Sequence, residues 1–258
     1  MIDRWHPLDN HSCMNTETYL IIAAVFLAAG AVKGISGLGL PTISMALLSL
    51  LMSPAKAAML MVLPSFATNV AQCFGPHWRR LVRKFWPMWV CLALLTLFSP
   101  LASIEAEGSH ATSILGFVLI AYGIWGLLKP GLPEAHKHVW LIGGIVGALS
   151  GVIAAATGVF VIPLVPYMQS LRLDKEEFIQ GLGISFMIAT VALTIRLGAT
   201  NADELVANIP GCTTALVAAF LGLGIGARLR GRMNPIQFQR ALYGVFVFLG
   251  LIMVGRSL

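Results

Sequence analysis

Lys33 is the one charged residue in the 34-residue run from Tyr19 to Met52, and the sequence GISGLGLPT follows it directly. An ionisable side chain inside so apolar a stretch costs a few kcal/mol or more in a bilayer, which makes it a functional-site candidate. The chemistry on offer is anion binding. Pro41 falls where the first residue of a helix tolerates proline, because the N–H of that position has no helical partner. Backbone amides around Gly37, Gly39 and Thr42 would then sit at a helix N-terminus, whose partial positive charge and free N–H groups hold oxyanions. Lys33 adds a full charge. It can instead bond the free carbonyls at the end of its own helix, or serve as a gate.

Other polar residues could line the same path. Thr68, Asn69 and Gln72 share one helical face by their spacing, and a lipid-embedded helix turns such a face toward protein or water. The amide of Asn69 can donate to an anion, or it can bond a neighbouring helix. Ser150, Thr157 and Gly158 recur in a second glycine-rich run, where hydroxyls and amides without charge suit one oxygen face of an oxyanion. The competing role for each hydroxyl is a bond back to its own helix carbonyls. Gln180 is a further lining candidate, with Ser185 and Thr190 beyond it. Tyr167 fits an interfacial belt better than a lining role, and the Arg79, Arg80, Arg83 and Lys84 cluster fits an orientation signal beside anionic headgroups.

The elements that must position these residues are membrane helices. The chain is 57% hydrophobic and 11% charged, with a mean hydropathy of +0.83, which excludes an ordinary soluble domain. The basic residues sit in short loops between apolar segments, so the net charge of +6 reads as membrane orientation and not as nucleic-acid binding. Cys13, Cys73, Cys91 and Cys212 are scattered, without disulfide or metal-ligand spacing, and no cofactor is implied. Nor does any Ser/His, paired Asp or HExxH arrangement within the spans point to an enzyme. All acids are expected in termini or loops.

Six spans are expected near residues 57–74, 85–103, 111–128, 178–195, 205–227 and 236–254. Two longer runs, Tyr19 to Met52 and Val139 to Ser170, are too long for one crossing and too short for two. Each breaks at glycine and proline, with Gly34 and Pro41 in the first and Gly151 and Pro163 in the second. Each is therefore expected to be two half-helices forming a re-entrant hairpin, tolerable where it lines a cavity. The positive-inside rule favours this arrangement. With the N-terminus outside and both runs re-entrant, twelve Lys and Arg fall inside and four outside; eight plain crossings split them nine to seven.

The expected organisation is a polar N-terminal segment (1–18) without a cleavable signal peptide, a first membrane repeat (19–128), a basic linker (129–138) and a second repeat (139–258). GAVKG at 30–34 matches GALSG at 147–151, and the twelve-residue spacing of Gly75 and Pro87 matches that of Gly198 and Pro210. The fold class read from this is an all-α polytopic membrane protein of two inverted repeats, each a broken hairpin plus three crossings. Such repeats place substrate near the midplane in secondary transporters.

At GAVKGISGLGLPT, TNVAQ and GALSGVIAAATGVFVIPLVPYMQ the chain resembles the sulfite exporter TauE/SafE family, over roughly residues 19–254. Its first motif reads GLGLP and its second AAATGVFVIP, where many members carry consecutive glycines. The resemblance implies a bacterial inner-membrane carrier of sulfite, sulfonates and related anions, whose partners are a small anionic substrate and the lipid bilayer. Import, another small organic anion, or a non-transporting membrane subunit are the alternatives, and oligomeric state is left open.

Overall fold

A computed structural model describes residues 15–99, 110–128, 138–200 and 208–257. The described residues form helices joined by short turns, without strands. The helices are α1 (Thr16–Ser36), α2 (Leu40–Leu48), α3 (Pro54–Cys73), α4 (Trp78–Phe98), α5 (His110–Leu128), α6 (Val139–Thr157), α7 (Leu164–Ser170), α8 (Lys175–Thr200), α9 (Ile209–Leu229) and α10 (Pro235–Ser257). Seven of them, all but α2, α3 and α7, are long and apolar enough to cross a membrane. The protein is a multi-pass membrane protein. α3 has comparable length but is less apolar, and it packs against α2, α8 and α9.

The long runs are broken unequally. α1 has 21 residues, about 31 Å at 1.5 Å per residue, and only the nine-residue α2 after it is short. α6 and α7 repeat the pattern with 19 and seven residues. The expectation of two half-helices per run is thus corrected to a full-length helix followed by a short return. Gly34 and Gly151 are also not helix breaks, because both are helical. Each is small because another backbone passes beside it: a Cβ on Gly34 would lie 2.5 Å from the carbonyl oxygen of Leu223, and one on Gly151 2.7 Å from that of Leu92. The chain turns later, at Gly37 (φ 80°), Gly39 (φ 103°) and Gly158 (φ 68°), in left-handed conformations that glycine adopts without penalty. Pro41 is the second residue of α2, and Pro163 precedes α7.

Close glycine contacts fix the helix directions. Gly30 meets Ala219 and Gly34 meets Leu223, so α1 and α9 run parallel; Gly147 meets Met88 and Gly151 meets Leu92, so α6 and α4 do too. Ser65 meets Thr190 and Gln72 meets Gly183, which makes α3 and α8 antiparallel. Gly116 meets Gly250 and Gly126 meets Tyr243, which makes α5 and α10 antiparallel. The match of GAVKG to GALSG therefore has a packing basis, since equivalent glycines in the two motifs meet equivalent positions on α9 and α4. The Gly–Pro pairing does not. Gly75 lies between α3 and α4 while Gly198 is inside α8, and Pro87 is mid-helix while Pro210 opens α9. The equal spacing crosses a tight turn in one half and a longer connection in the other.

These directions gather the C-terminal ends of α1, α3 and α9 with the N-terminal ends of α4, α8 and α10. Arg79, Arg80, Arg83, Lys84, Lys175, Arg230 and Arg240 all belong to this basic face. Lys56, Arg196 and Arg256 belong to the opposite face, where Arg196 donates to the last carbonyls of α4 and Arg256 to that of Leu50. Lys129, Lys137 and Arg4 lie outside the described residues. α4 begins seven residues before the expected span, so the 79–84 cluster occupies its first two turns and not a loop.

Candidate functional site

Lys33 is the centre of the site. It sits one turn from the end of α1, is 3% exposed, and turns its ammonium onto α3. Nζ donates to Thr68 Oγ1 at 3.1 Å and to Asn69 Oδ1. No carboxylate pairs with it among the described residues. Lys33 lies three residues beyond Gly30, which meets Ala219, the eleventh of the 21 residues of α9. That places it within about 5 Å, along the helix axis, of the middle of a full-length helix.

The partners of Lys33 are themselves oriented. Thr68 Oγ1 donates to the Pro64 carbonyl at 2.7 Å, leaving its lone pair for the ammonium. Asn69 turns its carbonyl to Lys33 and its Nδ2 to Ser65 Oγ at 3.4 Å, and Ser65 Oγ lies 3.1 Å from Thr190 Oγ1. A buried polar ladder thus runs from α1 through α3 to α8, joining the two halves of the chain. It spends two of the three N–H donors of Lys33 and leaves its charge without an opposite one.

Other expected residues fall into three groups. Thr42 on α2 and Ser150 on α6 are fully buried, and neither hydroxyl has a partner among the described residues. Ser150 follows Gly147 by three residues as Lys33 follows Gly30, so in the packing register it is the counterpart of Lys33. Gln72 and Gly37 lie toward the basic face from Lys33, joined by a 3.3 Å bond from Gln72 Nε2 to the Gly37 carbonyl.

The third group is committed to structure. The Gly37 N–H caps the Lys33 carbonyl at 2.7 Å, and the Gly158 N–H caps that of Ala154 at 2.8 Å, so neither amide is free for an anion. Thr157 bonds back to the Ile153 carbonyl and accepts the Val159 N–H, as Ser36 does with Val32 and Leu38. The Gly39 carbonyl accepts the Ile43 N–H at the start of α2. Gln180 is corrected from a lining residue to a clamp: Oε1 accepts the His77 N–H, and Nε2 donates to the carbonyls of Cys73 and Gly75, each at 3.1 Å. Tyr167 is buried and donates to the Val139 carbonyl at 2.8 Å, so it is not an interfacial residue.

A family model described as Sulfite exporter TauE/SafE matches residues 22–253. The chain belongs to the TauE/SafE family. No curated protein and no solved structure matched it significantly. Membership agrees with the apolar helices and supports a membrane transporter of sulfite-type anions, with the inner-membrane location typical of the family.

Sequence reasoning missed Glu177. All acids were expected in termini or loops, yet Glu177 lies in the first turn of α8, is 2% exposed, and receives Arg80 Nη1 at 2.6 Å. With Gln180 it ties the α3–α4 turn to α8. No local signal marks it, because Glu176–Glu177 looks like any acidic pair at a helix start. Arg230 was also counted only as a loop charge. Its Nε donates to the Ile35 carbonyl at 2.9 Å and so caps α1.

Proposed function

We propose that the protein exports sulfite and small sulfonates from the bacterial cytoplasm, with its basic face inside, and that the anion passes Lys33 at mid-membrane. The observation that carries this reading is a buried ammonium, hydrogen-bonded by neutral groups and without a carboxylate partner among the described residues. A permanent internal ion pair would have neutralised such a charge. Left single, it is matched to a substrate of opposite sign. Thr68 and Asn69 hold the ammonium in place, while the unpartnered hydroxyls of Thr42 and Ser150 are the further donors an oxyanion needs. The family match supports the substrate class.

The two halves act as inverted copies of one unit. Support comes from the reciprocal contacts, with α1 on α9 as α6 on α4, and from the opposite directions of α3 and α8 and of α5 and α10. Such pairs allow rocking about a fixed central site.

Efflux is electrogenic and needs no coupled ion. Glu177, the buried carboxylate, lies at the basic end of α8 and is paired with Arg80, so it is not a proton relay beside Lys33. An anion leaving an inside-negative cell gains about 2.3 kcal/mol per charge per 100 mV. Sulfite flux in proteoliposomes, with voltage and pH gradient clamped separately, tests this. Flux should follow the voltage and ignore the gradient; strict dependence on the pH gradient at fixed voltage contradicts the scheme.

A further inference from the structure

Above Lys33, on the basic face, lies a cavity of about 230 Å³. It is bounded by the ends of α1 and α3, the start of α8, Arg230 after α9, and the start of α10. Its polar side chains are Lys175, Arg230, Ser36, Gln72 and Gln239, and its apolar wall includes Phe178, Leu182 and Phe238. The transport path derived above uses none of the cations or aromatics among these.

Two features suit this open pocket, whose two cations are solvent-exposed, to an anion. Lys175 has no hydrogen-bond or ion-pair partner among the described residues, and Arg230 engages only Nε with protein, leaving both Nη groups free. The carbonyl ends that would repel an anion are already occupied: Ile35 by Arg230, Gly37 by Gln72, Lys33 by the Gly37 amide. The cavity equals the liquid volume of roughly seven or eight waters, several times what a bare trioxo anion occupies. The remaining space faces aromatic and aliphatic carbon. A small anion with a short apolar tail uses both parts of this site.

We propose that the cavity is a second anion site, separate from Lys33, which binds short-chain organic acids by their charged heads at Lys175 and Arg230 and their tails against Phe178, Leu182 and Phe238. The Gln72–Gly37 hydrogen bond forms the floor between this site and Lys33. The route onward to Lys33 rests on the transport reading, but binding in the cavity does not.

The test is calorimetric titration of the purified full chain in detergent with methane-, propane- and butanesulfonate, in a Lys33→Gln background that removes the midplane site. Affinity should rise about threefold to fourfold per methylene, from about 0.8 kcal/mol per buried CH₂. Lys175→Gln and Arg230→Gln should each weaken butanesulfonate about tenfold, and Phe238→Ala should flatten the chain-length series. Arg230→Gln also uncaps α1, so Lys175→Gln, which breaks no protein contact, is the deciding variant. Absence of binding, affinity independent of chain length, or a silent Lys175→Gln overturns the proposal. Sulfite flux without alkanesulfonate binding sinks this inference alone, and binding without flux sinks the transport reading alone.

Discussion

Replacing Lys33 with methionine separates an anion site from a helix cap. The substitution keeps an unbranched side chain, one atom shorter, and removes the charge. Its structural cost is small. Thr68 keeps its bond to the Pro64 carbonyl and Asn69 keeps its bond to Ser65, so the one group orphaned is Asn69 Oδ1, worth about 1–3 kcal/mol. Against this stands relief from holding an ammonium at helix depth, about 2.5–3.5 kcal/mol on insertion scales. The two nearly cancel, so Lys33→Met should unfold within about 2 kcal/mol of wild type. Ligand response is where they part. Sulfite at a hundred times its Kd should stabilise wild type by about 2.7 kcal/mol and Lys33→Met not at all. Thermal unfolding in detergent, followed by tryptophan fluorescence with and without sulfite, reads both quantities. A loss of more than about 4 kcal/mol, with the sulfite response intact, would make Lys33 a structural cap and not an anion ligand.

Asn69→Asp should place a carboxylate where the Asn69 carbonyl now meets Lys33, supplying an internal counter-charge; sulfite flux in vesicles should fall at least a hundredfold while the folded yield is kept. Gly151→Val should crowd the backbone of α4, since even a Cβ would lie 2.7 Å from the Leu92 carbonyl, and should cost about 1–3 kcal/mol in thermal unfolding. Gln180→Ala removes three bonds that hold the α3–α4 turn and should lower stability by about 2 kcal/mol. Sulfite affinity measured on the same sample should be unchanged, which a lining residue would not allow.

Much of this molecule was legible because its chemistry is local. A lone lysine in an apolar run has few places to go, and its burial followed from that fact alone. The GAVKG and GALSG motifs were visible because close helix packing demands small residues at fixed intervals, whatever the partner. What the motifs did not reveal was which glycines bend the chain. Gly34 and Gly37 look alike in a string of letters, and only the passage of α9 beside Gly34 makes that one a contact and leaves the turn to Gly37. Hydroxyl roles were equally hidden. Ser150 and Thr157 are seven residues apart on one helix, yet Thr157 bonds its own backbone and Ser150 has no partner among the described residues. The assignments that failed, Gln180 and Glu177 above all, depend on contacts between α8 and the α3–α4 turn, more than a hundred residues apart in sequence for Gln180 and His77. No periodicity encodes such a pairing.

Lys33, buried and without a carboxylate partner among the described residues, is proposed to be the counter-charge of the transported anion. Counterflow of radiolabelled sulfite in proteoliposomes, comparing wild type with Lys33→Gln at equal reconstituted protein, tests it most directly. Rapid exchange is expected in the wild type and none above empty vesicles in the variant. Equal exchange by both proteins would contradict it.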